Sequence, residues 1–157
     1  MTKTPSSLYR AMALAEMVTW TLLIVAMVAR YGFSYDGPLF FVAGLSHGII
    51  FLAYSITAVI IGINLRWGFP TIALAVLSAI PPWMTLPFDR WLDRHNKLEG
   101  EWRIEDSGDP RDQTWWDRLV RLGLAHPLWS FVIIVLGMAV VLSVLLTLGP
   151  PTEWGGQ

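Results

Sequence analysis

Cysteine is absent from the 157-residue chain. That absence excludes disulfides, thiolate metal sites, covalent haem attachment and cysteine nucleophiles together. Charge is scarce too: charged residues make up 15% of the chain, against about 25% in an average soluble domain. Eleven basic and 12 acidic residues leave a formal net charge of −1, which gives no case for a nucleic-acid partner. No span carries histidines in the number or spacing that haem, copper or di-iron chemistry needs, and His95 and His126 read as solvated or interfacial. There is no nucleophile elbow, phosphate loop or zincin motif. Catalytic, cofactor-binding and metal residues are therefore left unassigned, no cofactor is expected, and the chain is read as not an enzyme. Repeats and low-complexity tracts are missing, as are a myristoylation glycine and a prenylation box. No cleavable signal is evident, because the first apolar run exceeds the ~7–15 residues of a signal core; it reads as a retained first helix.

What the chain has in plenty is apolar surface, 54% of its residues. Apolar runs of spanning length predict an all-α polytopic membrane bundle with four transmembrane helices, over residues 8–30, 38–64, 69–88 and 127–148. Residues 1–95 form a three-helix membrane domain in this reading, 96–126 a polar loop with an interfacial helix, and 127–157 the fourth helix and tail. Pro81 and Pro82 remove two backbone donors and should kink or end helix three. Beyond it, Asp93 and Lys97 stand at a favourable helical spacing. Asp112 or Thr114 is expected to cap a short helix over residues 114–124, with Trp115, Leu119 and Leu122 on one side and Asp117, Arg118 and Arg121 across from them. That is the pattern of a helix lying in the interface. Trp67, Trp83, Trp91, Trp115, Trp116, Trp129 and Trp154 read mostly as an interfacial belt. Four crossings leave eight basic residues on the side of loop 89–125 and three on the side of the termini. This predicts a multi-pass protein of the plasma (inner) membrane, with a cytoplasmic loop and external termini.

Two costly groups sit inside the first two apolar runs, Glu16 and His47, and intramembrane ionisable residues mark functional sites by default. Their positions in antiparallel helices imply an axial offset of roughly 9 Å at 1.5 Å per residue, so a direct pair would need a water or Tyr54 as bridge. The alternative is a neutral Glu16, or one bonded to Thr19, Ser55 or Thr57. Gly44 and Gly48 open one helical face as a small-xxx-small packing groove. His47, Phe51 and Tyr54 continue beside it, and Arg10 anchors the start of helix one.

Arg10-x-x-Ala13-x-x-Glu16, Arg30-Tyr31, Gly44-Leu-Ser-His47-Gly48-x-x-Phe51-x-x-Tyr54, Trp67 and Ser78-Ala-Ile-Pro81 together resemble a family of short bacterial, mainly actinobacterial, integral membrane proteins. That family carries a domain of unknown function, and the resemblance covers residues 8–95. It implies a three-helix fold without implying a mechanism. The chain departs from the family pattern at Met17, where glycine is typical, and in its added loop and fourth helix. Small Trp-rich chains of this look also resemble accessory subunits of the actinobacterial cytochrome bcc–aa3 supercomplex. The expected function is accordingly a non-catalytic accessory subunit of a membrane complex, with lipids and other membrane subunits as partners and the aa3-type oxidase as first choice. The alternative is a small oligomeric proton-linked transporter using Glu16 and His47.

Overall fold

A computed structural model describes residues 4–148. Lys3, the Pro150-Pro151 stop, Trp154 and the tail at 153–157 lie outside the described residues. The described residues form six α-helices. Helix α1 (Pro5–Met27) is started by Thr4, whose hydroxyl accepts from the Ser7 amide at 3.2 Å. Such caps satisfy amides that the first turn leaves orphaned. The helix relaxes into a π-helical turn at Val28–Gly32. After a tight connection, α2 (Leu39–Asn64) returns antiparallel beside α1.

The third predicted span is not one helix. It divides into α3 (Phe69–Leu77) and α4 (Thr85–Arg94). Pro81 and Pro82 explain the break, since neither can donate a helical hydrogen bond. Trp83 completes the turn in the left-handed region at φ 60°, a conformation that non-glycine residues adopt only when their surroundings hold them. Its indole donates to Thr21 Oγ1 at 2.9 Å. Trp20 Nε1 donates to the Ala79 carbonyl at 2.9 Å, and Thr85 Oγ1 to the Ala13 carbonyl at 3.0 Å. The α3–α4 pair thus descends along α1 only to the level of Thr21. It then climbs back to the end where Arg10 meets Asp93.

Three helical segments among the described residues are long and apolar enough to cross a membrane: Pro5–Gly32, Leu39–Asn64 and Pro127–Leu148. Three of the four expected spans thus have a helix of crossing length among the described residues, and a helical hairpin stands where the third was expected. The predicted Asp93–Lys97 contact gives way to Asp93–Arg10, because α4 ends at Arg94 and the chain turns away. Thr114 caps α5 (Trp115–Ala125), its hydroxyl accepting from the Asp117 amide at 3.4 Å. Trp115, Leu119 and Leu122 project from α5 unburied, as an interfacial helix requires. Then α6 (Pro127–Leu148) runs back toward the α1–α2 turn and buries none of its 22 residues.

The core gathers at the loop-side end of the bundle, around Tyr9, Ala13, Tyr54, Ala58, Ile61, Ala75 and Leu92. Trp67 belongs to it rather than to an interfacial belt. It is buried, packs edge-on to Tyr9 at 5.7 Å, and donates to the Lys97 carbonyl at 2.7 Å.

Candidate functional site

Glu16 lies fully buried on the face of α1 that meets α2. His47 Nδ1 stands 3.8 Å from its Oε1, far closer than the expected offset and just beyond direct hydrogen-bond reach. The axial arithmetic places each group at its Cα, whereas both side chains reach along the seam. Neither carboxylate oxygen has a protein hydrogen-bond partner. Thr19, one of the hydroxyls expected to hold it, instead donates to the Glu16 backbone carbonyl at 3.0 Å. The same Oγ1 lies 3.3 Å from His47 Nδ1. Trp20 covers the imidazole at a centroid distance of 4.4 Å, and Phe51 stands on its other flank at 6.2 Å. What such a pair can do chemically is exchange a proton between a carboxyl and an imidazole inside an apolar wall.

Tyr54 is not part of that pair. Its hydroxyl lies 2.7 Å from the Tyr9 hydroxyl and 3.0 Å from Ser78 Oγ, and donates to the Ala75 carbonyl at 3.1 Å. This second buried cluster locks α1, α2 and α3 together. Arg10 also serves structure, pairing with Asp93 and lying 3.8 Å from Asp89. Burial pushes the Asp89 carboxyl up, and Arg10 opposes that shift.

Within this chain no helix packs closely on the two glycines of the expected packing groove, whose partner the sequence leaves open between this chain and another subunit. A Cβ at Gly44 would meet nothing within 4 Å, and one at Gly48 only Leu142 at 3.7 Å. They line an open groove between α2 and α6, and no backbone presses on them. Close packing occurs instead at Gly62, where a Cβ would come within 2.6 Å of Ile72 Cγ1.

The most densely bonded site lies in the polar loop, where the sequence offered Asp112 only as a candidate helix cap. Asp112 is buried and accepts from Arg66 at 2.9 Å, Arg103 at 2.6 Å, and the Ser107 amide and hydroxyl at 2.9 and 2.7 Å. Those Ser107 bonds, with Arg66 behind them, hold its carboxyl well below the usual range. Arg111 does the same for Asp109. Arg103 Nε donates to the Asn64 carbonyl at 2.6 Å and Nη2 to that of Ile63 at 2.8 Å. It thereby supplies a cation where the α2 dipole ends negative. Among the described residues, no three histidine, aspartate or glutamate side chains converge to hold a metal ion.

Span-length helices closed over a buried ionisable pair define a polytopic helical membrane protein. Residues 6–94, more than half of the chain, match the family described as a domain of unknown function (DUF3817), and the chain belongs to that family. The match ends with α4, so it encloses the α1–α2 pair and the partial hairpin. A Streptomyces coelicolor protein, whose name assigns it to the membrane and gives it no activity, is 33% identical over 87 residues. The alignment covers 55% of this chain and 10% of that relative, so the chain spans about a tenth of its length. No solved structure matches.

Proposed function

We propose that the protein is a non-catalytic accessory subunit of a larger membrane complex. The observation that carries this reading is α6: 22 residues, no charge, and no residue buried within the chain. It touches the rest of the chain through Leu142 near Gly48 and through Ser130 Oγ, which donates to the Gly123 carbonyl at 2.8 Å. A helix held this lightly offers its remaining faces to other membrane helices. The similarity of the domain to one stretch of a much longer protein fits a module that works beside other parts. An aa3-type oxidase as the partner rests on the sequence resemblance alone. Gentle detergent extraction followed by native-gel mass spectrometry tests both levels. Co-migration with other membrane subunits supports the accessory role, and the identity of those subunits decides for or against the oxidase. Migration as a lone small protein refutes the role.

We also propose a revised orientation. With the α3–α4 hairpin returning to its starting end, the N-terminal end and the 65–126 segment share one side of the membrane. Among the described residues, nine of the ten basic side chains lie there, leaving Arg30 on the other side. By the positive-inside rule that side is cytoplasmic. In this reading the loop lies on the cytoplasmic side of the plasma membrane, the N-terminal end of α1 lies with it, and α6 ends outside.

A proton-linked transporter is the second reading, favoured by a buried carboxylate with no hydrogen-bond partner 3.8 Å from an imidazole. Liposomes loaded with a pH dye would show proton flux that Glu16→Gln abolishes. Equal leakage from variant and parent removes this reading.

A further inference from the structure

We infer that the groove between α2 and α6 binds an anionic phospholipid, with an acyl chain lying along Gly44 and Gly48 and the phosphate at Arg30. The groove has a volume of about 510 Å³, within the ~300–1,000 Å³ typical of small-molecule sites. Its walls are apolar, formed by Phe41, Leu142 and Leu146 among others, and Arg30 is the sole charged residue lining it. The missing side chains at Gly44 and Gly48 keep its floor clear, since a Cβ at either would meet at most Leu142.

Arg30 supplies the charge complementarity. Among the described residues it makes no ion pair, and its guanidinium lies 5.2 Å from the centre of the Phe40 ring. At the other end of the bundle Arg10, Arg66, Arg103, Arg111 and Arg121 all face aspartates. Arg30 lies in the π-helical turn that follows α1, where the chain leaves the apolar run and a snorkelling basic side chain meets headgroups. A second copy's apolar helix in the groove would leave this cation uncompensated, whereas a lipid phosphate satisfies it while the acyl tail fills the trough.

The test uses the full chain, purified in detergent and offered equimolar phosphatidylglycerol and phosphatidylcholine, with bound lipid read by native mass spectrometry. Phosphatidylglycerol should be retained in preference. Arg30→Gln should lower that retention about fivefold, the worth of one basic side chain at an anionic lipid surface, while Arg94→Gln at the opposite end leaves it unchanged. Arg30 is exposed and outside the core, so its replacement does not test folding. Gly48→Leu, which fills the groove, should reduce binding of both lipids. Equal retention of the two lipids, an effect of Arg94→Gln as large as that of Arg30→Gln, or a dimer whose formation excludes lipid would each overturn the assignment.

Discussion

Alanine at Gly62 and alanine at Gly44 should shift stability in opposite directions, although both glycines lie in the same apolar helix. At Gly62 an added Cβ would sit 2.6 Å from Ile72 Cγ1, 3.0 Å from its Cδ1 and 3.1 Å from Trp67 Cε3. Overpacking of this kind costs about 1–3 kcal/mol. Alanine recovers about 1 kcal/mol of helix propensity relative to glycine, so Gly62→Ala should destabilise by about 0–2 kcal/mol. At Gly44 nothing lies within 4 Å of the new methyl. Only the propensity term survives there, and Gly44→Ala should stabilise by up to about 1 kcal/mol. The difference is readable as several degrees between thermal melts recorded side by side in one detergent, at about 2–4 °C per kcal/mol for a chain of this size. Ile72→Ala removes the obstructing atoms and should recover much of the loss in the Gly62→Ala background, a coupling that a double-mutant cycle isolates. A Gly62→Ala melting point equal to or above that of Gly44→Ala would refute the placement of α3 against α2.

Three further outcomes are expected. Tyr54→Phe should destabilise more than Tyr9→Phe in thermal melts, by about 1–3 against 0.5–1.5 kcal/mol, because it leaves the buried Tyr9 hydroxyl unpaired while the reverse change leaves Tyr54 its Ser78 and Ala75 partners. Asp109 and Asp112 titrate below the unfolded value of about 3.9, so the order they give the loop is fully present above that pH and is lost as acid passes through their lowered folded values. Cleavage of residues 99–114 by an acid-tolerant protease should therefore begin only below about pH 4, and Asp112→Asn should open the loop already at neutral pH. Single cysteines at Ser6 and Glu105 should resist an impermeant thiol reagent in intact cells while one at Asp36 is labelled. Labelling at Ser6 with protection at both Asp36 and Glu105 would restore the four-span topology.

Helices α1, α2 and α6 were legible because length and apolarity alone decide whether a segment can cross a bilayer. Pro81 and Pro82 announced the interruption after α3 through local chemistry. The return of α4 was hidden, since it depends on bonds such as Trp83 to Thr21 and Thr85 to Ala13, 62 and 72 residues apart. Glu16 and His47 were visible as costly residues, but their separation was misjudged by counting rise along the helix axes. Gly44 and Gly48 showed where an approach was permitted. Spacing says nothing about which helix makes the approach, and Ile72 makes it at Gly62. The Asp112 cluster left no local signal: Arg103 reaches α2 carbonyls 39 and 40 residues earlier in the chain.

The partial hairpin has a consequence for biosynthesis. Nine residues of α3 rise about 14 Å, less than half of a hydrocarbon core of about 30 Å. Such a segment lacks the length that would commit it to the bilayer on leaving the translocon. The irregular backbone from Ser78 to Met84 is tied to α1 at Ala79 by the Trp20 indole and at Trp83 by the Thr21 hydroxyl, and Thr85 bonds the Ala13 carbonyl. Insertion is therefore expected to be ordered in time, which arrested-chain insertion assays of increasing length would check. The α1–α2 pair must already stand in the membrane when residues 69–94 emerge, and it acts as an internal template for a segment unable to enter alone.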